Sequence, residues 1–241
     1  MVLKKLEMEK DFWINNSTDY TELLHTSLKN VLHPMTVKII NDTKPKKYLD
    51  YGCGDGRMTE MIDKEIPISL FDISEEMLEQ AEKRLGNRIE SVYRNINDIP
   101  SNTFDVVVSS LVFVCIDNDK DFTTAMQAIL NALAINGKAV IALTHPCFRQ
   151  YSYSDYFTAY TNDKPFDYHK EGEPFEVTIH DETKKLSVTF TDYHWTLSYT
   201  INKMIQTGLN IENIIETEDD KSVSGFNKQF PPFIILIANK K

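Results

Sequence analysis

Three glycines stand within five residues of one another, Gly52, Gly54 and Gly56, in a chain that has only 8 glycines among 241 residues. Average usage would give about 17. Glycine adopts positive φ without strain and lets a ligand come close to the backbone. If a helix follows such a turn, its first N–H groups favour a negatively charged or polar ligand group. The cluster therefore predicts a place where a ligand lies against bare backbone.

An acidic residue stands where such a ligand would need it. Asp72 ends the second predicted strand, and in open α/β sheets a carboxylate at that point binds ribose hydroxyls. The alternative role, a helix cap, is already filled by Ser74. Arg57 occupies the position of the third glycine in the dinucleotide fingerprint G-x-G-x-x-G. This disfavours a nicotinamide or flavin cofactor, and a nicotinamide oxidoreductase remains an alternative.

Short apolar runs alternate with stretches of helical periodicity, which is typical of a parallel sheet covered by helices on both faces. The predicted strands are 47–51, 69–72, 91–94, 104–110, 138–144, 211–216 and 233–238. A helix is expected from Ser74 to Gly86, another over 58–64, a third that stops near Asn136 and Gly137, and a fourth that ends at Gly208.

The alternation breaks between residues 148 and 195, which hold 12 of the 26 aromatic residues. Runs at 177–180 and 186–191 flank a short polar turn and predict a β-hairpin. We interpret 148–195 as a cap inserted into a single domain that spans 1–241. Residues 1–40 are expected to form a helical N-terminal lid. Lid and cap would close over the substrate site.

Composition excludes several classes of function. The net charge is −10, which argues against a nucleic-acid partner. No apolar run is long enough to span a membrane, and the N-terminus lacks the core of a secretory signal. The three cysteines are scattered and without metal-ligand spacing, so we expect reduced thiols, no metal and a cytoplasmic protein.

Four motifs in order carry a family resemblance. Residues 49–56, Leu-Asp-Tyr-Gly-Cys-Gly-Asp-Gly, resemble the nucleotide loop of class I S-adenosylmethionine (SAM)-dependent methyltransferases, and 71–81 resemble their second motif. Residues 104–110 and 133–138 are similar to the fourth motif and to the turn before the fifth strand. The resemblance implies a Rossmann-like, doubly wound α/β sheet of seven strands with the last antiparallel. It also implies SAM as the cofactor and S-adenosylhomocysteine as its product.

The resemblance assigns cofactor contacts to particular positions. Asp50 and the backbone of Gly52, Cys53 and Gly54 would hold the methionine end of SAM. Asp72 would bind both ribose hydroxyls, and Ile73 and Met77 would flank the adenine. Asn95, followed by Ile96, stands where the family usually has an aspartate for the adenine amino group. Ser110 and Leu111 would border the methyl-transfer site. Tyr20 and Trp13 resemble the aromatics that fold over the SAM carboxylate, with plain helix packing as the alternative.

The sulfonium of SAM is already a strong electrophile, so the protein needs mainly to align a nucleophile and in some cases to accept a proton. His145, after the fifth strand, is a candidate base or a histidine bound into its loop. Tyr193 and His194 resemble part of a Tyr-His-Arg element, in which Trp195 replaces the arginine. Asp192 is either a partner for a substrate amine or a solvated loop residue.

These features favour transfer of a methyl group to an O or N atom of a small molecule. A tyrosine-rich run, Tyr151, Tyr153, Tyr156, Phe157 and Tyr160, would line the substrate pocket or pack within the cap. Methylation of carbon in a quinone or enol is an alternative. So is a protein that binds SAM or a nucleotide without catalysis. The chain would act as a monomer or homodimer.

Overall fold

The computed structural model of the chain describes residues 17–23, 26–152, 156–159, 165–181, 183–217 and 230–240, and gives only the backbone of 17–19 and 156–159. Within these residues the chain forms a seven-stranded sheet flanked by helices, and a separate three-stranded sheet. The larger sheet carries the glycine cluster. The smaller sheet belongs to the segment that the sequence predicts to be a cap.

The larger sheet has the strand order β3-β2-β1-β4-β5-β10-β9. Strands β1 to β5 pair in parallel, whereas β10 is antiparallel to both β5 and β9. This confirms the predicted Rossmann-like sheet with an antiparallel last strand. The strands are β1 Tyr48–Tyr51, β2 Ile68–Phe71, β3 Ile89–Tyr93, β4 Phe104–Ser110, β5 Leu133–Thr144, β9 Leu209–Glu216 and β10 Phe233–Lys240.

Both faces of this sheet are buried, as continuously apolar strands require. Along β4, Val106 and Val108 pack into one core cluster, and Val107 packs into the other. The helices that cover the sheet are α1 Ser17–Glu22, α2 His33–Thr43 with a preceding π-helical turn Leu28–Leu32, α3 Arg57–Glu60, α4 Glu75–Leu85, α5 Asp119–Ala132 and α6 Leu197–Thr207.

Helix α4 forms where the sequence predicts it. The Ser74 hydroxyl accepts a hydrogen bond from the Met77 N–H, two glutamates occupy the first turn, and Gly86 ends the helix. Two other helix predictions were wrong in length. The helix after the glycine turn is a single turn, α3, rather than 58–64, and α5 ends at Ala132 rather than near Asn136. Asn136 instead adopts φ +62° in a turn inside the first part of β5.

The smaller sheet consists of β6 Tyr156–Ala159, β7 Glu173–Asp181 and β8 Leu186–His194 in that order, all antiparallel. The predicted hairpin is present, but its strands are longer than predicted. Pairing continues to Glu173 opposite His194, which places Asp192 inside β8, opposite Phe175. Asp192 is only 2% exposed. The interpretation of Asp192 as a solvated loop residue was therefore wrong, because ladder pairing extends beyond the apolar run.

Candidate active site

The glycine turn joins the end of β1 to the end of β2. The backbone N–H groups of Gly52 and Cys53 both donate to the carbonyl oxygen of Phe71, at 2.7 and 3.0 Å. Gly52, Gly54 and Gly56 all have positive φ, between 52° and 77°. The sequence concentrates glycine here because three backbone positions within five residues need a conformation that side chains oppose.

Asp72 closes this turn from the β2 side. Its Oδ2 atom accepts a hydrogen bond from the Gly54 N–H at 2.8 Å, and its Oδ1 atom accepts one from the Ser74 N–H at 2.9 Å. Burial raises the pKa of this carboxyl, and the N–H donors oppose that shift. A carboxylate has about four acceptor positions, so Asp72 can still accept from a ligand hydroxyl beside these N–H groups.

Asp50 lies in the strand that leads into the turn. It is 2% exposed, and its Oδ2 atom accepts a hydrogen bond from the Thr59 hydroxyl of α3. Burial raises the pKa of Asp50 to about 7, the bond from Thr59 opposes this, and the charge of Asp72 adds to it. Two acidic groups therefore lie near one another in the turn, and close to neutral pH one of them holds a proton for part of the time.

The glycine positions differ in the space beside them. A Cβ atom at Gly52 would lie 2.2 Å from Cγ2 of Val112, the second residue after β4. A Cβ at Gly54 would meet no described atom within 4 Å. The backbone at Gly52 is thus packed against the end of β4, whereas Gly54 faces open space that a ligand can occupy.

The predicted adenine contacts differ in exposure. The Ile73 side chain is 73% exposed, beside the buried Met77. The Oδ1 atom of Asn95 accepts a hydrogen bond from the Asn97 N–H at 2.9 Å and so caps a short 3-10 turn. Ile96, in that turn, packs against the core. Asn95 keeps one carbonyl lone pair and its amide donors.

Arg57 ties the glycine turn to the N-terminal segment. Its Nε atom donates to Oδ2 of Asp55 at 2.9 Å. Its two terminal nitrogens donate to backbone carbonyls of the segment that includes α1, one to Leu23 at 2.7 Å and the other to Thr21. Tyr20 precedes these residues, and its pKa is raised by burial and then by the charge of Asp55. The N-terminal segment around Thr21 and Leu23 therefore lies directly beside the turn.

A cavity of about 50 Å³ lies where α1, β4, β5 and the cap sheet meet. Leu111 lies in its wall with φ +61°, and its N–H donates to the Ala142 carbonyl at 2.8 Å. Most of the other lining residues are apolar, and Asp192 supplies the carboxylate. The lining residues are Tyr20, Ser27, Leu28, Leu111, Val114, Cys115, Thr144, Ile179, Phe190, Asp192 and Phe233. Ser110 ends β4 immediately before Leu111.

His145 follows Thr144 and is 3% exposed. Its Nδ1 atom accepts a hydrogen bond from the Cys147 N–H, so its Nε2 carries the proton and lies 3.0 Å from a carboxylate oxygen of Glu216. Burial lowers the pKa of His145, and Glu216 opposes that shift. Both ring nitrogens are engaged, which matches the loop-bound alternative for this histidine.

His194 is fully buried at the end of β8. Its Nε2 donates to the Tyr168 carbonyl at 2.9 Å, and burial lowers the pKa of the ring to about 4. Tyr193 packs with the core residues around α5. Of the three predicted catalytic residues, none is among the described residues that line the cavity.

The structure describes only some of the aromatic residues that were predicted to line the substrate pocket or fold over the cofactor. Tyr151 stacks on Phe230 with ring centroids 5.0 Å apart and is not among the cavity-lining residues. Trp13, Tyr153 and Tyr160 lie outside the described residues, as do the side chains of Tyr156 and Phe157. In the part of the chain that the structure describes, no three His, Cys, Asp or Glu side chains are grouped as they would be around a metal ion.

Sequence reasoning missed most of the cavity wall. Thr144, Ile179 and Phe190 come from three strands whose separation in the sequence hides their meeting. One residue of the wall could have been predicted from the sequence: Thr144 ends a central strand, and open α/β sheets bind ligands at the carboxyl ends of their strands. The contacts of Arg57 with the lid gave no signal, because they involve backbone carbonyls that any sequence supplies.

Comparison with known proteins agrees with this geometry. Residues 49–137 match a family model described as a methyltransferase domain, and this segment carries the glycine turn, Asp72 and Leu111. An uncharacterised protein of Haemophilus influenzae is 28% identical over 207 residues, 79% of this chain and 78% of the relative.

Two solved structures show the same fold. An S-adenosylmethionine-dependent methyltransferase from Mesorhizobium loti has a TM-score of 0.60 and 19% identity, covering 86% of this chain and 96% of that one. The 1,6-didemethyltoxoflavin-N1-methyltransferase of Burkholderia thailandensis, solved with its substrate and S-adenosylhomocysteine, has a TM-score of 0.62 and 11% identity, covering 99% and 89%. The chain therefore has the fold of these two proteins over most of its length, and residues 49–137 resemble a methyltransferase domain. No helix within the described ranges is long and apolar enough to cross a membrane.

Proposed function

We propose that this protein transfers the methyl group of SAM to an O or N atom of a small molecule. The observation that carries the proposal is the cavity between the ends of β4 and β5, the N-terminal segment and the cap sheet. Leu111 lines this cavity, and the next residue, Val112, packs against Gly52 of the glycine turn. The cavity wall combines apolar side chains with the Asp192 carboxylate, the composition of a site for a small organic molecule. Residues 1–40 and 148–195 would act as lid and cap over this cavity.

The residues of the turn fit SAM. Gly54 faces open space, and the Asp72 carboxylate retains an acceptor position for a ribose hydroxyl. Ile73 offers an exposed apolar face beside Asp72 for the adenine. Asp50 and the backbone of 52–54 would hold the methionine end, with Tyr20 above it. Met77, Asn95 and Ile96 would surround the adenine.

SAM supplies the electrophilic methyl group when it is bound, so the chain itself supplies position and exclusion of water. Leu111 borders the cavity, and the adjacent Val112 packs against Gly52 of the turn. Acceptor and cofactor would therefore lie on either side of one short segment after β4. The apolar wall would keep water from the reacting atoms.

The acceptor must lose a proton if its nucleophile is a hydroxyl or an ammonium group. Asp192 is the carboxylate of the cavity wall, whereas His145 has both ring nitrogens engaged and His194 has a pKa of about 4. We therefore place the reactive atom of the acceptor near Asp192. His145, His194 and Tyr193 would support the walls of the site.

Calorimetric titration with SAM and S-adenosylhomocysteine tests the cofactor site. We expect dissociation constants in the micromolar range, and binding of neither compound would refute the proposal. Mass spectrometry of a small-molecule mixture incubated with protein and methyl-labelled SAM then tests for transfer. Label attached to oxygen or nitrogen supports the proposal, and label on carbon favours the quinone or enol alternative. Cofactor binding without any labelled product favours a non-catalytic SAM-binding protein.

A further inference from the structure

We propose that the methyl acceptor carries a carboxylate group and that Arg149 binds it; this inference rests on the proposed function. Arg149 lies five residues after Thr144, beyond the carboxyl end of β5. It is only 4% exposed. Arginine is rarely buried unless an anion accompanies it, because a guanidinium loses its hydration when it leaves water. The question is therefore which anion this arginine meets.

The described residues provide few hydrogen-bond acceptors for the guanidinium of Arg149. Of its five N–H donors, only one has an acceptor among the described residues, the Thr144 hydroxyl, which is bonded to a terminal nitrogen. The Nε atom is buried and has no hydrogen-bond partner. The guanidinium also lies over the Phe175 ring, 5.3 Å from its centroid. That contact is favourable but leaves the other donors unused.

The position of Arg149 connects it to the cavity through two contacts. Thr144, its hydrogen-bond partner, lines the cavity. Phe175, over which its guanidinium lies, is the cross-strand partner of Asp192, so the two side chains project from the same face of the cap sheet. Asp192 also lines the cavity. Arg149 does not itself line the cavity, but it lies directly behind Thr144 and beside Phe175, so it stands one side chain away from the cavity wall.

Among the residues that the structure describes, no carboxylate forms an ion pair with Arg149. The carboxylate of the cavity wall, Asp192, stands opposite Phe175 on the cap sheet. The neighbouring rings of His145 and His194 are held in the neutral form by burial, and the positive charge of Arg149 contributes to lowering the pKa of each. The described part of the chain therefore gives the buried guanidinium of Arg149 no anionic partner.

A carboxylate on the acceptor satisfies this arrangement. Its two oxygens match the parallel N–H groups of a guanidinium, and its charge replaces the hydration that Arg149 loses. The same molecule would place its nucleophilic atom towards Asp192. The acceptor class is a small carboxylic acid with a hydroxyl or amine, rather than a simple amine or alcohol.

Three probes of equal length test this inference: sodium butyrate, n-butanol and n-butylammonium chloride at one ionic strength, with S-adenosylhomocysteine saturating. We expect butyrate to bind, by calorimetry and by raised melting temperature, at least about tenfold tighter than the other two, since charge-assisted hydrogen bonds are about twice as strong as neutral ones. Preference for butylammonium would overturn the proposal in favour of a cationic group held by Asp192. Equal binding of the three, or binding of none, would also overturn it.

The variant Arg149→Met separates a binding role from a structural one. If Arg149 has no anionic partner in the protein alone, an apolar side chain of similar volume leaves the melting temperature unchanged or raises it. Butyrate binding should then be lost, while S-adenosylhomocysteine binding stays within about twofold. Arg88→Gln is the matched control, because Arg88 donates to the backbone carbonyls of Glu60 and Ile62 far from the cavity.

The outcomes distinguish this inference from the proposed function. A lower melting temperature in Arg149→Met with unchanged butyrate binding would show a structural arginine and refute the inference. Loss of S-adenosylhomocysteine binding in Arg149→Met would show that the arginine serves the cofactor carboxylate instead, which also refutes it. Failure of the unaltered protein to bind S-adenosylhomocysteine would refute the proposed function itself.

Discussion

The Oδ2 atom of Asp72 lies 2.8 Å from the backbone nitrogen of Gly54. This bond joins the end of β2 to the turn after β1, two elements that already pair in parallel with Tyr51 opposite Phe71. The carboxylate proposed to bind the ribose therefore also stabilises the conformation of the glycine turn. Changes at Asp72 should affect both the geometry of the turn and the binding of the cofactor.

Asp72→Asn should weaken S-adenosylhomocysteine binding by about 1.5–3 kcal/mol, the value of one hydrogen bond to a charged group. Asparagine keeps the shape of the side chain but loses the charge and one acceptor oxygen. Calorimetry measures the change. The control is Asp42→Asn, an equal loss of charge at a side chain that is 65% exposed on α2. Equal affinities of the two variants would contradict the ribose assignment.

Gly52→Ala and Gly54→Ala should have different effects. Both need a side chain at positive φ, which costs about 1 kcal/mol. At Gly52 the new Cβ would also overlap Val112, adding about 1–3 kcal/mol of overpacking. We expect Gly52→Ala to destabilise the fold more in urea unfolding. Gly54→Ala should instead lower cofactor affinity more than stability. Equal losses of stability in the two variants would count against this account of the turn.

The raised pKa of Asp50, about 7, predicts a pH dependence of stability. Between the unfolded value, about 3.9, and about 7, the folded protein holds a proton that the unfolded chain has released. The contribution of Asp50 to stability is therefore complete below about pH 4 and is lost as the pH rises towards 7. Asp50→Asn should remove this part of the slope, at most about 4 kcal/mol. Urea unfolding at pH 5 and pH 8 measures it, and parallel slopes for both proteins would refute the assignment.

Arg57→Gln should loosen the N-terminal segment without unfolding the domain. It removes the bonds to the Thr21 and Leu23 carbonyls, so the amide of Leu23, bonded to Tyr20, should exchange hydrogen faster. The control is Arg88→Gln, which also loses bonds to backbone carbonyls, near the end of α3. Hydrogen exchange measured by mass spectrometry should separate the two variants. Similar exchange of residues 17–23 in both would show that Arg57 does not hold the lid.

The sheet could be predicted from the sequence because each strand has its own apolar run, and because capping residues and glycines mark where the helices begin and end. Ser74 and Gly86 bounded α4 correctly, since a cap and a glycine stop are local properties. Asp72 could be located for the same reason. It follows a strand at the spacing from the glycine turn that the fold requires.

The cavity could not be predicted, because its wall depends on register between distant strands. Asp192 stands beyond the apolar run of β8, and only its pairing with Phe175 shows that it is buried. The burial of Arg149 likewise depends on Thr144 and Phe175, which come from different sheets. His145 was a reasonable candidate by position, but the Cys147 N–H and Glu216, residues whose contacts the sequence does not reveal, engage its ring.

Leu111 and Val112 are consecutive, yet Leu111 borders the cavity and Val112 packs against the glycine turn. One peptide unit therefore separates the side chain that borders the cavity from the side chain that packs against the glycine turn. Because these two residues are adjacent, the local backbone sets the separation between the cavity and the glycine turn. Under the proposed function, changes of sequence in residues 1–40 and 148–195 would alter which molecule is accepted and leave this separation unchanged.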